Sequence, residues 1–112
     1  MDAIENLTEE SFDAAAGRPG LTVIDFWAGW CGPCRAMAPQ FERAAALRPQ
    51  YRFAKVDVDA EPALAAAHGI RSIPTLMVLR DGTPIAAQAG VVGADELVQA
   101  LDRLDSADAV AA

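Results

Sequence analysis

Residues 21–28, Leu-Thr-Val-Ile-Asp-Phe-Trp-Ala, form a β-branched and aromatic run too continuous to alternate, the pattern of a central strand covered on both faces. Residues 52–58 alternate instead, placing Phe53, Lys55 and Asp57 on one face and Ala54, Val56 and Val58 on the other. Strand patterns over 75–80 and 84–89 flank Asp81-Gly82, which reads as a hairpin. Helical spacing fills the gaps between these strands. Thr8 is placed to cap a helix over 9–16 that ends at Gly17, with Phe12 as its core contact. Met37, Phe41 and Ala45 mark a helix over 34–47, which Pro39 should kink without splitting. Pro62 opens a short helix over 63–67 that Gly69 closes. Leu97, Val98, Leu101 and Leu104 stripe a last helix over 94–104, and the small residues from about 106 onward are expected to fray.

The order β, kinked helix, β, helix, hairpin, helix predicts an α/β fold: a mixed sheet with helices on both faces and a right-handed β-helix-β crossover. Asp25 breaks the apolar pattern. A carboxylate among Val23, Ile24, Phe26 and Trp27 turns to a solvated edge, is paired, or is held for its chemistry with a raised pKa. Lys55 faces the way Phe53 faces, which makes it a candidate partner on a neighbouring strand. Trp27 and Phe26 read as core. His68, in the last turn of its short helix, is expected to be exposed and favoured there by the helix dipole, not catalytic.

Composition narrows the function classes. At 112 residues the chain suits one domain over 1–112, with hydrophobic content of 53%, enough for a core without staples. A net charge of −7, with the nine basic residues scattered, speaks against nucleic acid as a partner. No apolar run approaches the roughly 18 residues of a membrane span. The segment Met1-Asp2-Ala3-Ile4-Glu5-Asn6 lacks the basic-then-apolar order of a secretory signal, so a cytoplasmic location is expected.

The chain has two cysteines, both in Trp30-Cys31-Gly32-Pro33-Cys34. Thiols at i and i+3 lie on one face of a helical turn, within reach of each other, so the segment can be a dithiol or a disulfide. A structural zinc site wants four ligands, and beyond this pair the chain offers only His68, so no metal is expected. A purely structural disulfide closing so short a loop removes little chain entropy. What remains is a pair kept for reactivity. It sits where a central strand runs into a helix, the place where α/β proteins put their chemistry.

These residues resemble the thioredoxin family over nearly the whole chain, from about 5 to 104. The resemblance is carried by Asp25-Phe26-Trp27-Ala28-Gly29-Trp30-Cys31-Gly32-Pro33-Cys34, Ala38-Pro39, Lys55-Val56-Asp57, Gly69-Ile70-Arg71-Ser72-Ile73-Pro74-Thr75 and Gly90. It implies the thioredoxin fold, a five-stranded mixed central sheet flanked by four helices, with a short first strand over 3–6. It also implies a cis Pro74 lying against the dithiol. A subtype of the family carries an amino-terminal zinc ribbon and shows the same Gly-Ile-Arg-Ser-Ile-Pro-Thr stretch; this chain has no ribbon cysteines. Gly29 departs from the pattern, since the family often places a larger or charged residue there.

The first cysteine, Cys31, at the amino end of a helix, is expected to be the exposed nucleophile, its thiolate stabilised by unpaired N–H groups and the helix dipole. Cys34, one turn inward, would resolve the mixed disulfide. By resemblance Asp25 is the base for Cys34 and Lys55 modulates its charge. Gly32 and Pro33 tune the redox poise, since Pro33 offers no N–H to a thiolate. Trp30, Gly32, Ile73, Pro74 and Gly90 would form an apolar rim for an extended client segment. The expected activity is that of a monomeric protein-disulfide reductase acting on disulfide-containing client proteins. It would be recharged by an NADPH-dependent thioredoxin reductase, which would carry the flavin and nicotinamide, so no cofactor is expected here. The alternatives are a disulfide oxidase or isomerase, where a His tends to stand in place of Pro33, and a non-catalytic scaffold.

Overall fold

The structure is a computed structural model describing residues 4–111, without the side chains of 108–111. Its elements are β1 (Ile4–Asn6), α1 (Phe12–Ala16), β2 (Leu21–Trp27), α2 (Gly32–Leu47), β3 (Arg52–Asp57), α3 (Pro62–Ala67), β4 (Thr75–Arg80), β5 (Thr83–Ala89) and α4 (Ala94–Ala111). The five strands form one sheet in the order β1-β3-β2-β4-β5. β3 runs parallel to β1 and β2, and β4 antiparallel to β2 and β5, so the sheet is mixed as expected. β2 lies at its centre, and all its residues but Trp27 are buried.

The two-residue period of the strands sorts the core into two layers. Leu21, Val23, Phe53, Leu76 and Val78 face α2 and α4, meeting Met37, Phe41, Leu97 and Leu101. Ile24, Phe26, Ala54, Val56, Met77 and Leu79 face the other way, onto Phe12, Ala15 and Leu64 of α1 and α3. Asp25 and Lys55 therefore point to the α2 side, and the sheet register pairs them directly.

Several boundaries differ from those the pattern predicts. Thr8 and Ser11 cap one another, the Thr8 N–H donating to Ser11 Oγ and the Ser11 N–H to Thr8 Oγ1, so residues 9–11 form a turn and α1 begins only at Phe12. α2 starts at Gly32, not near Cys34, and runs as one helix through Pro39. α4 overruns the expected end at 104, because residues 105–111 contain alanine and no Gly or Pro to stop it. Of the strand expected over 3–6, Ala3 lies outside the described residues. His68 is half-buried, not exposed: its ring packs 4.7 Å from Phe12 and 6.0 Å from Phe26, and Nδ1 lies 3.0 Å from the Leu64 carbonyl oxygen. The hairpin turns through Asp81 at φ 51° and Gly82 at φ 88°. A Cβ at Gly82 would stand 3.1 Å from the Gly17 backbone, so a side chain there would crowd the end of α1.

Candidate active site

β2 delivers the chain to the centre of the sheet's end, and the next four residues turn it into α2. Cys31 is the N-cap of that helix, with extended φ/ψ of −87° and 114°, and its Sγ accepts the Cys34 N–H at 3.2 Å. Gly32 and Pro33 follow in the first turn. Cys31 and Cys34 are joined as a disulfide, their Cα atoms 5.2 Å apart. Both are buried at 4% exposure, so the expected contrast of an exposed Cys31 and a buried Cys34 is absent from this form. The difference between them lies in what each faces. Cys31 Sγ is 3.8 Å from the Ile73 carbonyl oxygen, at the surface loop before β4. Cys34 lines a cleft of about 190 Å³ with Trp27, Gly29, Ala38 and Lys55.

Asp25 has no exposed surface, and neither carboxylate oxygen has a hydrogen-bond partner among the described residues. It is therefore not on a solvated edge. Burial pushes its carboxyl up to about 6, and the charge on Lys55 partly opposes that rise. Lys55 Nζ lies over the Trp27 ring, 4.8 Å from its centroid. Trp27 is half-buried, its Nε1 without a partner among the described residues, so it is a wall between core and cleft and not wholly core.

The loop before β4 lies across the pair. The Ile73-Pro74 peptide bond is cis, as the resemblance implies, and Ile73 packs on Cys31 and Cys34. Pro74 is fully buried, so it does not present a ring at the surface; its carbonyl accepts the Gly90 N–H at 2.9 Å and ties the two loops together. Trp30 is 67% exposed, its indole Nε1 donating to Asp59 Oδ2 at 2.8 Å. The surface around the pair thus consists of Trp30, Gly32 and Ile73, with Gly90 tied to Pro74; Val91, which follows Gly90 in the chain, is also exposed. The sequence pattern does not single out Val91 or Asp59. An apolar residue after Gly90 reads as a loop residue, and Asp59 reads as part of an acidic helix opening.

The thioredoxin family profile matches residues 3–103. The chain belongs to the thioredoxin family. It is 46% identical over 92 residues to a putative thioredoxin 2 of Streptomyces coelicolor, covering 82% of this chain and 69% of that one. With thioredoxin C-3 of Corynebacterium nephridii the identity is 44% over 104 residues, 92% of this chain and 71% of the relative. A thioredoxin of Staphylococcus aureus is 39% identical over 102 residues, 90% and 97% of the two chains. Thioredoxin membership and the bonded Cys31–Cys34 pair together support thiol–disulfide redox function, an oxidoreductase role toward disulfide-containing proteins. No helix among the described residues is long and apolar enough to cross a membrane.

Proposed function

We propose that this thioredoxin-family chain is a general protein-disulfide reductase in which Cys31 attacks and Cys34 resolves. The observation that carries the assignment is the unequal placement of the two sulfurs. Cys31 caps α2 beside the surface loop, and Cys34 backs onto the cleft shared with Lys55. In the reduced protein the Cys31 thiolate attacks a client disulfide, forming one S–S bond and expelling one client thiolate. Cys34 then loses its proton and attacks Cys31 Sγ, expelling the second client thiolate. Two electrons have passed to the client, and the Cys31–Cys34 disulfide remains.

Asp25 is the group proposed to take the Cys34 proton, directly or through a water. Its support is a raised pKa in a buried position on the α2 face of the sheet, with Lys55 opposite it in register. Gly32 and Pro33 are proposed to set the redox poise, and Trp30, Ile73 and Gly90 to position the client segment, with buried Pro74 acting through the loop it ties to Gly90. The chain is proposed to act as a monomer in the cytoplasm and to be recharged by an NADPH-dependent thioredoxin reductase.

Catalysis of insulin reduction by dithiothreitol tests the activity: the protein should shorten the time to precipitation of the B chain, and no acceleration would sink the reading. Cys34→Ser should accumulate client mixed disulfides through Cys31. Capture through Cys34 in a Cys31→Ser variant, with none in Cys34→Ser, would reverse the assignment.

A further inference from the structure

We propose that the redox pair is flanked by two cationic clefts that favour client disulfides with acidic residues beside them. The proposal rests on the exchange chemistry above and names its preferred substrate class. One cleft is the space of about 190 Å³ behind Cys34, where Arg35 and Lys55 supply two positive charges. The other, of about 180 Å³, lies between Trp30 and Ile73 and carries Arg71. Neither lining contains a carboxylate, although the chain has sixteen acidic residues against nine basic ones.

The hydrogen bonds explain how these charges stay directed at the clefts. Elsewhere on the surface Arg18, Arg43 and Arg48 pair with Glu5, Asp95 and Asp102. Arg35 is instead held by a backbone oxygen, donating to the Gly29 carbonyl at 2.9 Å, and Lys55 rests on the Trp27 ring. Buried Asp25 stands opposite Lys55 in register and offsets part of its charge, so the exposed positive charges of the clefts are those of Arg35 and Arg71, while three other acids of neighbouring segments are hydrogen-bonded elsewhere. Asp59 accepts from Trp30, Asp57 from the N–H groups of Asp59 and Ala60, and Glu61 from the N–H of Glu9. Gly29 adds neither bulk nor charge: a Cβ built there would meet no atom within 4 Å, so the mouth of the Cys34 cleft is open.

An acidic client residue would be within reach. Cys34 itself lines the first cleft, and Ile73, whose carbonyl oxygen is 3.8 Å from Cys31 Sγ, lines the second, while an extended client chain advances about 3.3 Å per residue. With the client sulfur on Cys31, a side chain one to three residues along the client can meet a cleft mouth. A carboxylate there is attracted at encounter and held in a partly desolvated position.

The experiment compares two disulfide-bridged peptides, identical except for Glu or Lys at the two residues on each side of the cysteine. Peptide thiol release by the reduced protein gives the second-order rate constants. The net charge of −7 alone would favour the Lys peptide, so the sign of the preference is decisive. The Glu peptide should react roughly three- to tenfold faster at low ionic strength. The ratio should fall toward one in about 0.5 M salt, and also in the Arg35→Gln/Arg71→Gln double variant. A ratio at or below one in the unmodified protein would overturn the proposal, as would an unchanged ratio in the double variant. If neither peptide is reduced, the exchange reading fails and this proposal falls with it.

Discussion

Asp25 has no exposed surface, its two oxygens lack hydrogen-bond partners among the described residues, and its carboxyl is raised from the ordinary 3.8 to about 6 by burial. Between those two values the folded protein keeps a proton that the unfolded chain has released. The stabilisation is therefore complete below about pH 4 and is lost as the pH rises through 6, a change of about 3 kcal/mol. Asp25→Asn removes the charge that causes this loss. Denaturant unfolding should show the variant more stable than the parent by about 2–3 kcal/mol at pH 8, with the difference nearly gone at pH 4. An equal effect at both pH values would mean that packing, not ionisation, is responsible. If Asp25 is the base proposed for Cys34, the same variant should slow client release from the mixed disulfide more than its formation. Equal slowing in stopped-flow kinetics would remove it from that role.

The elements are held together by contacts that join distant parts of the chain. The N-terminus of α4 is capped from α2, Gln40 Oε1 accepting the Ala94 N–H at 2.8 Å, while the Val92 N–H reaches Met37 Sδ at 3.3 Å. At the other end of α2, Asp102 of α4 accepts three bonds from Arg48, two of them shared by Nε, and one from the Tyr51 hydroxyl at 2.8 Å. The Arg48 bonds, with that from Tyr51, hold Asp102 below the usual carboxylate range. Burial, reinforced by Asp102, pushes the Tyr51 hydroxyl up to about 12. Gln40→Ala should leave one donor at the helix start unsatisfied and cost about 1 kcal/mol, read as a lower denaturation midpoint at an unchanged m-value. A neutral result would show that water replaces the cap. None of these clamps was legible beforehand, because Gln40 and Ala94 are 54 residues apart and neither belongs to a recognisable pattern. The strands were legible because β-branched residues and period-two alternation are local signals. The start of α2 was missed because Gly32 and Pro33 are poor interior helix residues that are tolerated in a first turn. The redox pair and Asp25 stood out because each conflicts with its surroundings: two thiols in one turn, and a carboxylate in an apolar strand. Arg35 and Arg71 carried no such conflict: Arg35 reads as an ordinary helix residue after Cys34, and the relation of Arg71 to the pair appears only once its loop is folded beside Trp30 and Ile73.

At the scale of the whole molecule, the disulfide and the fold are linked by a thermodynamic cycle. Any preference of the folded protein for the disulfide over the dithiol, relative to the unfolded chain, must appear as extra stability of the disulfide form. About 30 mV of lowered reduction potential corresponds to about 1.4 kcal/mol of that stability. The site supplies reasons for the preference. Pro33 offers no N–H to a Cys31 thiolate, which leaves the Cys34 N–H as the donor seen at Cys31 Sγ. Reduction would also leave two thiols at positions only 4% exposed, where burial opposes ionisation to the thiolate. A strong oxidant has the opposite arrangement, in which the reduced form is the stabilised one. Guanidinium unfolding of the two forms at pH 7 should therefore give a higher midpoint for the disulfide form, at matching m-values. The difference in unfolding free energy should match the gap between the potentials of the folded and unfolded chains measured in a glutathione buffer, converted at that rate. A more stable dithiol form would put the folded potential above that of the unfolded chain and favour an oxidase over the proposed reductase.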